Sequence, residues 1–442
     1  MAGILPFTAL HYNTEKVADL GKVIAPPYDR LAKNTRSRLE AANPYNIVRL
    51  TPSGRELKDG QDQVIGQATS LFRQWREQQV LISSEKPGLY YYRMGFSLAD
   101  GRRTVRRGFF ALLNIESDES GLVLPQQADW MKPRTDRLAL LEAMRANCSP
   151  IFLLFSDPER EVMSLLSGAA GRDPLIDAED DDDREHSVFA VTDEEIIAQV
   201  AAAMKNRTVT LADGHHRYRT AQAFAKAHPD NKRAQTILAC LVPIQDEGLT
   251  VRPIHRTVVG MPSLRVDELL FELSQIFYIR EMPALENPAD AVSAALAEME
   301  EQAALGEPAF AMSIAGMPGI MLLTLKSDAA KLALPDGLAA PIRDLDAALL
   351  QRLILEGTLK LDPHHRDQGN IGFFEDPYRL PALLENGEAQ LVFLCNPIRH
   401  NQLEAVAEAR LKLPHKVARF VPEVPAGLVL QTFDANDSHG GV

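Results

Sequence analysis

Apolar positions recur along this chain with two periods, and each period predicts a different kind of element. Over 61–79, Val64, Ala68, Leu71, Phe72 and Trp75 fall three or four residues apart, which places them on one helical face. The runs 89–96 and 105–115 are apolar and rich in β-formers. They flank Ala99-Asp100-Gly101, so they predict an antiparallel hairpin. Shorter runs at 47–50, 151–155, 187–191, 236–242 and 252–259 predict strands, and 136–145 predicts a helix. A further helix is expected over 193–205, with Thr192 as its cap and Glu195 at the capping-box position. Beyond Gly260 the pattern predicts helices at 266–276, 288–305, 345–356, 378–385 and 402–410. Strands are expected there at 310–314, 320–325, 370–374 and 389–394. The result is an α/β (α+β) chain with a first domain over 1–260 and a second α/β domain with a mixed sheet over 261–433. The polar stretch 434–442 is expected to be a disordered tail.

One stretch is chemically denser than its surroundings. Thr208-Val209-Thr210 is a β-branched run, and it leads into Leu211-Ala212-Asp213-Gly214-His215-His216-Arg217-Tyr218. A helical pattern follows, stopped by Pro229. Asp213-Gly214 therefore sits at a strand-to-helix turn, where glycine permits tight turning and close approach of a ligand. His215, His216 and Arg217 fall in the first helical turn, where amides lack partners and the helix dipole is positive. That combination predicts a phosphate cradle.

Composition narrows the classes. At 45% hydrophobic and 24% charged over 442 residues, the chain reads as folded, with two or three domains. It contains no apolar run long enough for a membrane span. Its start, Met1-Ala2-Gly3-Ile4-Leu5-Pro6-Phe7, is not a secretory signal, so a cytoplasmic location is expected. Cys148, Cys240 and Cys395 read as buried free thiols. A net charge of −13 argues against nucleic acid as a partner. The acidic run 177–185 reads as a solvated loop. Arg102, Arg103, Arg106 and Arg107 read as a solvated strand face, with the alternative that one leans into the phosphate site. Neither a Gly-x-x-x-x-Gly-Lys-Ser/Thr loop nor a Gly-x-Gly-x-x-Gly turn is present.

The box Gly214-His-His-Arg-Tyr-Arg-Thr-Ala221 resembles the phosphate-binding helix starts of the ParB-like nucleotide-binding fold, of sulfiredoxin and of free serine kinases. A wider resemblance covers almost the whole chain. Ala25-Pro-Pro-Tyr-Asp29, Asn43-Pro-Tyr-Asn-Ile-Val-Arg-Leu50, Lys132-Pro-Arg-Thr-Asp-Arg-Leu138, Ser149-Pro-Ile-Phe-Leu-Leu154, Pro253-Ile-His-Arg256 and Pro425-Ala-Gly-Leu-Val429 look like signatures of the bacterial domain-of-unknown-function family 1015. The resemblance implies a ParB/sulfiredoxin-like mixed-sheet core that binds a nucleotide such as ATP or ADP, with Mg2+ as its counter-ion. Two segments depart from the family pattern. Leu124-Pro-Gln-Gln-Ala-Asp129 lacks the usual His, Glu and Thr, and Pro414-His-Lys-Val-Ala418 keeps Lys416 without the neighbouring hydroxyls.

A phosphate site needs several cations and an orienting acid, which one turn cannot supply alone. The expected catalytic set is Asp213, His215, His216 and Asp29. The expected phosphate- or nucleotide-binding set is Gly214, Arg217, Tyr218, Lys132, Arg137, Arg252, His255 and Tyr28. Arg217 is expected to clamp phosphate with both prongs of its guanidinium. The function expected is phosphoryl transfer, as a kinase or phosphatase, on a small hydroxylated metabolite or its phosphate ester of the serine or phosphoserine kind. The alternative is a regulatory protein that binds a nucleotide or phosphometabolite without turnover. The partner is a small phosphate-bearing molecule, and a homodimer is left open.

Overall fold

The structure is a computed structural model describing residues 3–52, 54–116, 123–124, 135–205, 207–283, 285–326, 339–361, 368–414 and 416–433. The chain forms two compact units. Unit 1 holds residues up to Thr250 together with those from Pro422 onward, and unit 2 holds Val251–Val421. The division thus falls ten residues before the expected boundary at 260, and the stretch from Pro422 belongs to unit 1 rather than to the second domain. Backbone pairing ties it there. Leu430 exchanges hydrogen bonds with Leu10, and Gln431–Thr432 pairs with Ala146–Asn147.

Unit 1 is built on a mixed sheet of nine strands among the described residues. Its main strands are β1 (Leu89–Ser97), β2 (Arg103–Asn114), β3 (Ile151–Phe155), β4 (Ile176–Glu179), β5 (Glu185–Val191), β6 (Val209–Asp213) and β7 (Thr236–Pro243). Their order across the sheet is β6-β3-β7-β2-β1-β5-β4. β3 and β7 run parallel, while β6–β3, β7–β2 and β2–β1 are antiparallel. The helices that matter for the site are α1 (Gly54–Glu77), α2 (Thr135–Met144), α3 (Glu161–Ala169), α4 (Glu194–Met204) and α5 (His215–Ala227). One sheet face packs Leu89, Phe109, Leu153, Leu211 and Leu241 against Val162 and Leu166 of α3, Val200 and Met204 of α4, and Tyr218 and Ala221 of α5. The alternating burial expected of strands puts these residues on the same side.

Several expected elements change on folding. Residues 47–50 form a 3-10 turn, not a strand, because the Asn46 side chain accepts the Val48 N–H and starts a helical turn. Part of the acidic run is strand β4, paired with β5, so only the residues between them form a turn. α4 is capped by Asp193 rather than Thr192. The Asp193 carboxylate accepts from the Glu195 and Ile196 amides. The expected strand 252–259 is two strands, Thr250–Pro253 and His255–Val258.

In unit 2 a six-stranded sheet is antiparallel throughout, not mixed. Its edge strand Phe277–Glu281 has no counterpart among the elements expected from the hydrophobic pattern. The expected helix 345–356 is a short α-helix, Asp346–Leu349, running into a π-helical segment, Leu350–Thr358.

Candidate active site at the start of α5

β6 carries Val209 and Leu211 into the core and then ends on a bulge. The register against β3 shifts between Leu211 and Asp213, which turns the Asp213 carboxylate out of the strand's alternation. Gly214 follows in the left-handed region at φ 93, and α5 starts at His215. A side chain at position 214 has no room: its Cβ would lie 2.9 Å from Ile151 Cγ2 and 3.1 Å from the Arg217 guanidinium carbon. Glycine is therefore required both by conformation and by contact. With glycine at the N-cap, no side chain caps α5, and its first turn carries no acid.

Arg217 is buried and packs beneath this turn. One prong donates to Asp213 Oδ2 at 2.5 Å; the other donates to Ser149 Oγ at 3.1 Å and to the Pro150 carbonyl. The fork expected to grip phosphate is thus taken up by the protein itself, and Arg217 acts here by holding the turn. Its charged form is favoured by the Asp29 and Asp213 carboxylates, which outweigh the cost of burial.

Asp213 also accepts from Arg30 at 3.1 Å, so each of its oxygens meets an arginine. Despite burial, which acts the other way, Arg217 and Arg30 hold its carboxyl below the usual carboxylate range. A carboxylate so held is a poor general base. Asp29 lies 3.9 Å from Arg217, and its side chain keeps 22% exposure. Tyr28 lies beside it, its ring 3.7 Å from the Arg137 guanidinium carbon. Tyr28, Asp29, Arg30, Arg137 and Asp213 are thereby gathered from three distant segments. Burial lowers the His215 imidazole to about 4, so it stands neutral at neutral pH. His216 is half-buried next to it.

The remaining expected members are placed as follows. Tyr218 is 1% exposed in the core, and its hydroxyl donates to the Glu116 carbonyl, so it is not at the phosphate position. Lys132 is outside the described residues. Arg252 is an exposed residue of unit 2. His255 is a core histidine of unit 2: its Nδ1 accepts from the Cys395 amide at 3.3 Å, it packs on Phe374, and burial lowers it to about 3. Among the hairpin arginines, Arg106 is not on a solvated face. It is 1% exposed, lying over Phe152 and against the Met94 sulfur, whereas Arg103 pairs with Glu185 in the open. Lys416 in unit 2 lies over the Phe373 ring. Arg30 and Ser149 join the site although the sequence pattern does not single them out as members; each borders or belongs to a segment that does stand out. Nothing in a sequence pattern shows which arginine reaches which carboxylate.

The family model described as a protein of unknown function, DUF1015, matches residues 4–348. The chain belongs to this family. No curated protein matches it. Among solved structures it is similar to a free serine kinase mutant in complex with AMP, at 11% identity and a TM-score of 0.34, covering 72% of this chain and 92% of that one. It is similar to a conserved hypothetical protein from Pyrococcus furiosus at 13% identity and a TM-score of 0.32, covering 73% and 95%. It is also similar to C-terminally truncated SbnI from Staphylococcus aureus at 12% identity and a TM-score of 0.27, covering 66% and 91%. No helix among the described residues is long and apolar enough to cross a membrane.

Proposed function

We propose that unit 1 binds the phosphate end of a nucleotide or other small phosphorylated molecule at the first turn of α5. We propose further that the bound group takes part in phosphoryl transfer to or from a small hydroxylated metabolite. The observation that carries this reading is the form of the helix start. α5 begins on a glycine in the left-handed region, with no side-chain cap and no acid in its first turn. Asp213, Arg217 and Arg30 fix the turn's geometry, which suits a reaction that depends on positioning and electrostatic stabilisation.

Within this reading, the amides of the first turn receive phosphate oxygens. Neutral His215 accepts the proton of the attacking hydroxyl or water, and an arriving anion raises its pKa toward its ordinary value. Asp29 is the carboxylate left to meet Mg2+. No group of three or more metal-ligating side chains is gathered among the described residues. Mg2+ keeps several waters and uses one or two carboxylates plus the substrate's phosphates, so Asp29 fits that need. The ion would supply charge neutralisation at the transferring phosphate. The choice of serine or phosphoserine rests on the resemblance of the 214–221 box alone. One observation favours the second reading, binding without turnover: Asp213 is bound on both oxygens by arginines.

A melting screen with ADP, ATP, phosphoserine, pyrophosphate and Mg2+ tests the binding. A ligand at one hundred times its Kd stabilises by about 2.7 kcal/mol. Turnover of the best ligand, with and without His215→Gln, then separates the two readings. If no phosphate-bearing compound raises the melting temperature, the proposed site is wrong.

A further inference from the structure

Beside the turn, unit 1 contains a recess of about 80 Å3 with an open mouth. Two helical stripes face each other across it. Leu140, Leu141 and Met144 of α2 form one wall, and Thr220, Ala221 and Phe224 of α5 form the other. Both stripes follow the three- and four-residue steps that normally bring helices into full contact. Here they meet in part, with Leu141 packed against the Phe224–Phe433 cluster, and the recess lies beside that contact. Phe433, stacked on Phe224 with ring centroids 5.1 Å apart, forms part of the lining.

The polar members of the lining are specific. Tyr28 and Arg137 line the recess as a stacked pair, and Arg217 is shared between the recess and the phosphate turn. Asn147 and Ser149 supply hydrogen-bonding atoms at the same wall.

We propose that this recess receives the planar ring of a nucleobase whose phosphates lie at the start of α5. The inference rests on the phosphate reading above and deepens it by naming the ligand class. A flat ring fits beside the apolar walls and stacks on the Tyr28 ring, which the buried Arg137 guanidinium backs from the other side. Its edge nitrogens and oxygens answer Asn147 and Ser149. An alkyl chain would desolvate those groups without replacing their hydrogen bonds. Because Arg217 borders both places, one ligand spans them with base and phosphate on either side of that side chain.

The experiment uses the full-length protein with carbon-13-labelled methionine methyls, the Met144 signal being assigned through Met144→Leu. The probes are ADP, adenosine, pyrophosphate and octanoate. ADP and adenosine are expected to move the Met144 signal, and pyrophosphate is expected to bind without moving it. Ala221→Met fills the recess. It is expected to weaken ADP by about tenfold or more, about 1.4 kcal/mol, while pyrophosphate stays within about twofold. If ADP binds the parent but leaves Met144 unmoved, the base lies elsewhere, and the phosphate reading survives alone. If octanoate moves Met144 and adenosine does not, the occupant is an acyl chain and the proposal is overturned. If pyrophosphate, ADP and adenosine all fail to bind, both readings fall together. Should Ala221→Met melt without cooperativity, the Met144 signal of the parent decides the matter.

Discussion

α4 and α5 are consecutive helices of unit 1, one leading into β6 and the other leaving it, and they begin in opposite ways. α4 meets its own needs: Asp193 accepts two first-turn amides, and Glu194 and Glu195 add negative charge at its positive end. α5 begins on Gly214, with no cap and with His215, His216 and Arg217 in place of acids. A helix start satisfied from within has nothing to offer an anion. One that begins on glycine costs the fold only about a few tenths of a kcal/mol and supplies no side-chain oxygen to its first-turn amides. The nearest acid to α5, Asp213, could have served as a cap but is turned onto Arg30 and Arg217 instead. The difference is one of residue type at the cap and in the first turn, and of where the preceding acid points.

Replacing the residues that enforce this contrast should break it, with the largest effect first. Arg217→Ala removes a buried partner of Asp213 and leaves Ser149 and the Pro150 carbonyl without their donor. A loss of about 3–5 kcal/mol is expected in urea unfolding. Arg217→Lys should recover only part, since an ammonium cannot fork between Asp213 and Ser149. A loss below about 1 kcal/mol would show that Arg217 does not hold the turn.

Gly214→Ala comes next. It forces alanine to φ 93 and drives its Cβ against Ile151 and Arg217. Backbone strain and crowding together should cost about 2–4 kcal/mol. Gly101→Ala is the control, because Gly101 also has positive φ but meets nothing within 4 Å. It should cost about 1 kcal/mol, the strain alone. Equal losses at the two positions would mean that the close approach at Gly214 is unimportant.

The third test is acidification. His215 is lowered from 6.5 to about 4, so between those two values the unfolded chain takes up a proton that the folded one refuses. Its contribution is fully present above about pH 6.5 and fades as pH falls toward 4. The loss should be about 2 kcal/mol, because each tenfold drop in proton affinity corresponds to about 1.4 kcal/mol and some solvent access reduces the total. His255 acts with the same sign in unit 2, so the readout is the difference between parent and His215→Gln. Identical pH slopes for the two proteins would refute it.

The smallest effect is expected at the other helix. Asp193→Ala removes the α4 cap and should cost about 1 kcal/mol without altering pyrophosphate or ADP binding. A change in ligand affinity there would mean the two helix starts are coupled, and the contrast between them would lose its meaning.

Much of this arrangement is legible without the fold. The strand, Gly214 and helix follow from a β-branched run, a glycine and a periodic stretch lying next to one another, and such local order is written in local sequence. The hairpin β1–β2 is equally local, set by Ala99-Asp100-Gly101 between two apolar runs. What the sequence could not assign was the use of each charged group. Arg217 and Arg106 have the same side chain, yet one secures the turn and the other lies buried over Phe152. His255 was expected at the site and is instead in the core of unit 2. The recess between α2 and α5 also has no local signature, since each stripe alone reads as an ordinary core face. Spacing along the chain determines which residues share a face. Only tertiary structure decides what that face meets, because the partners are supplied by segments tens to hundreds of residues away.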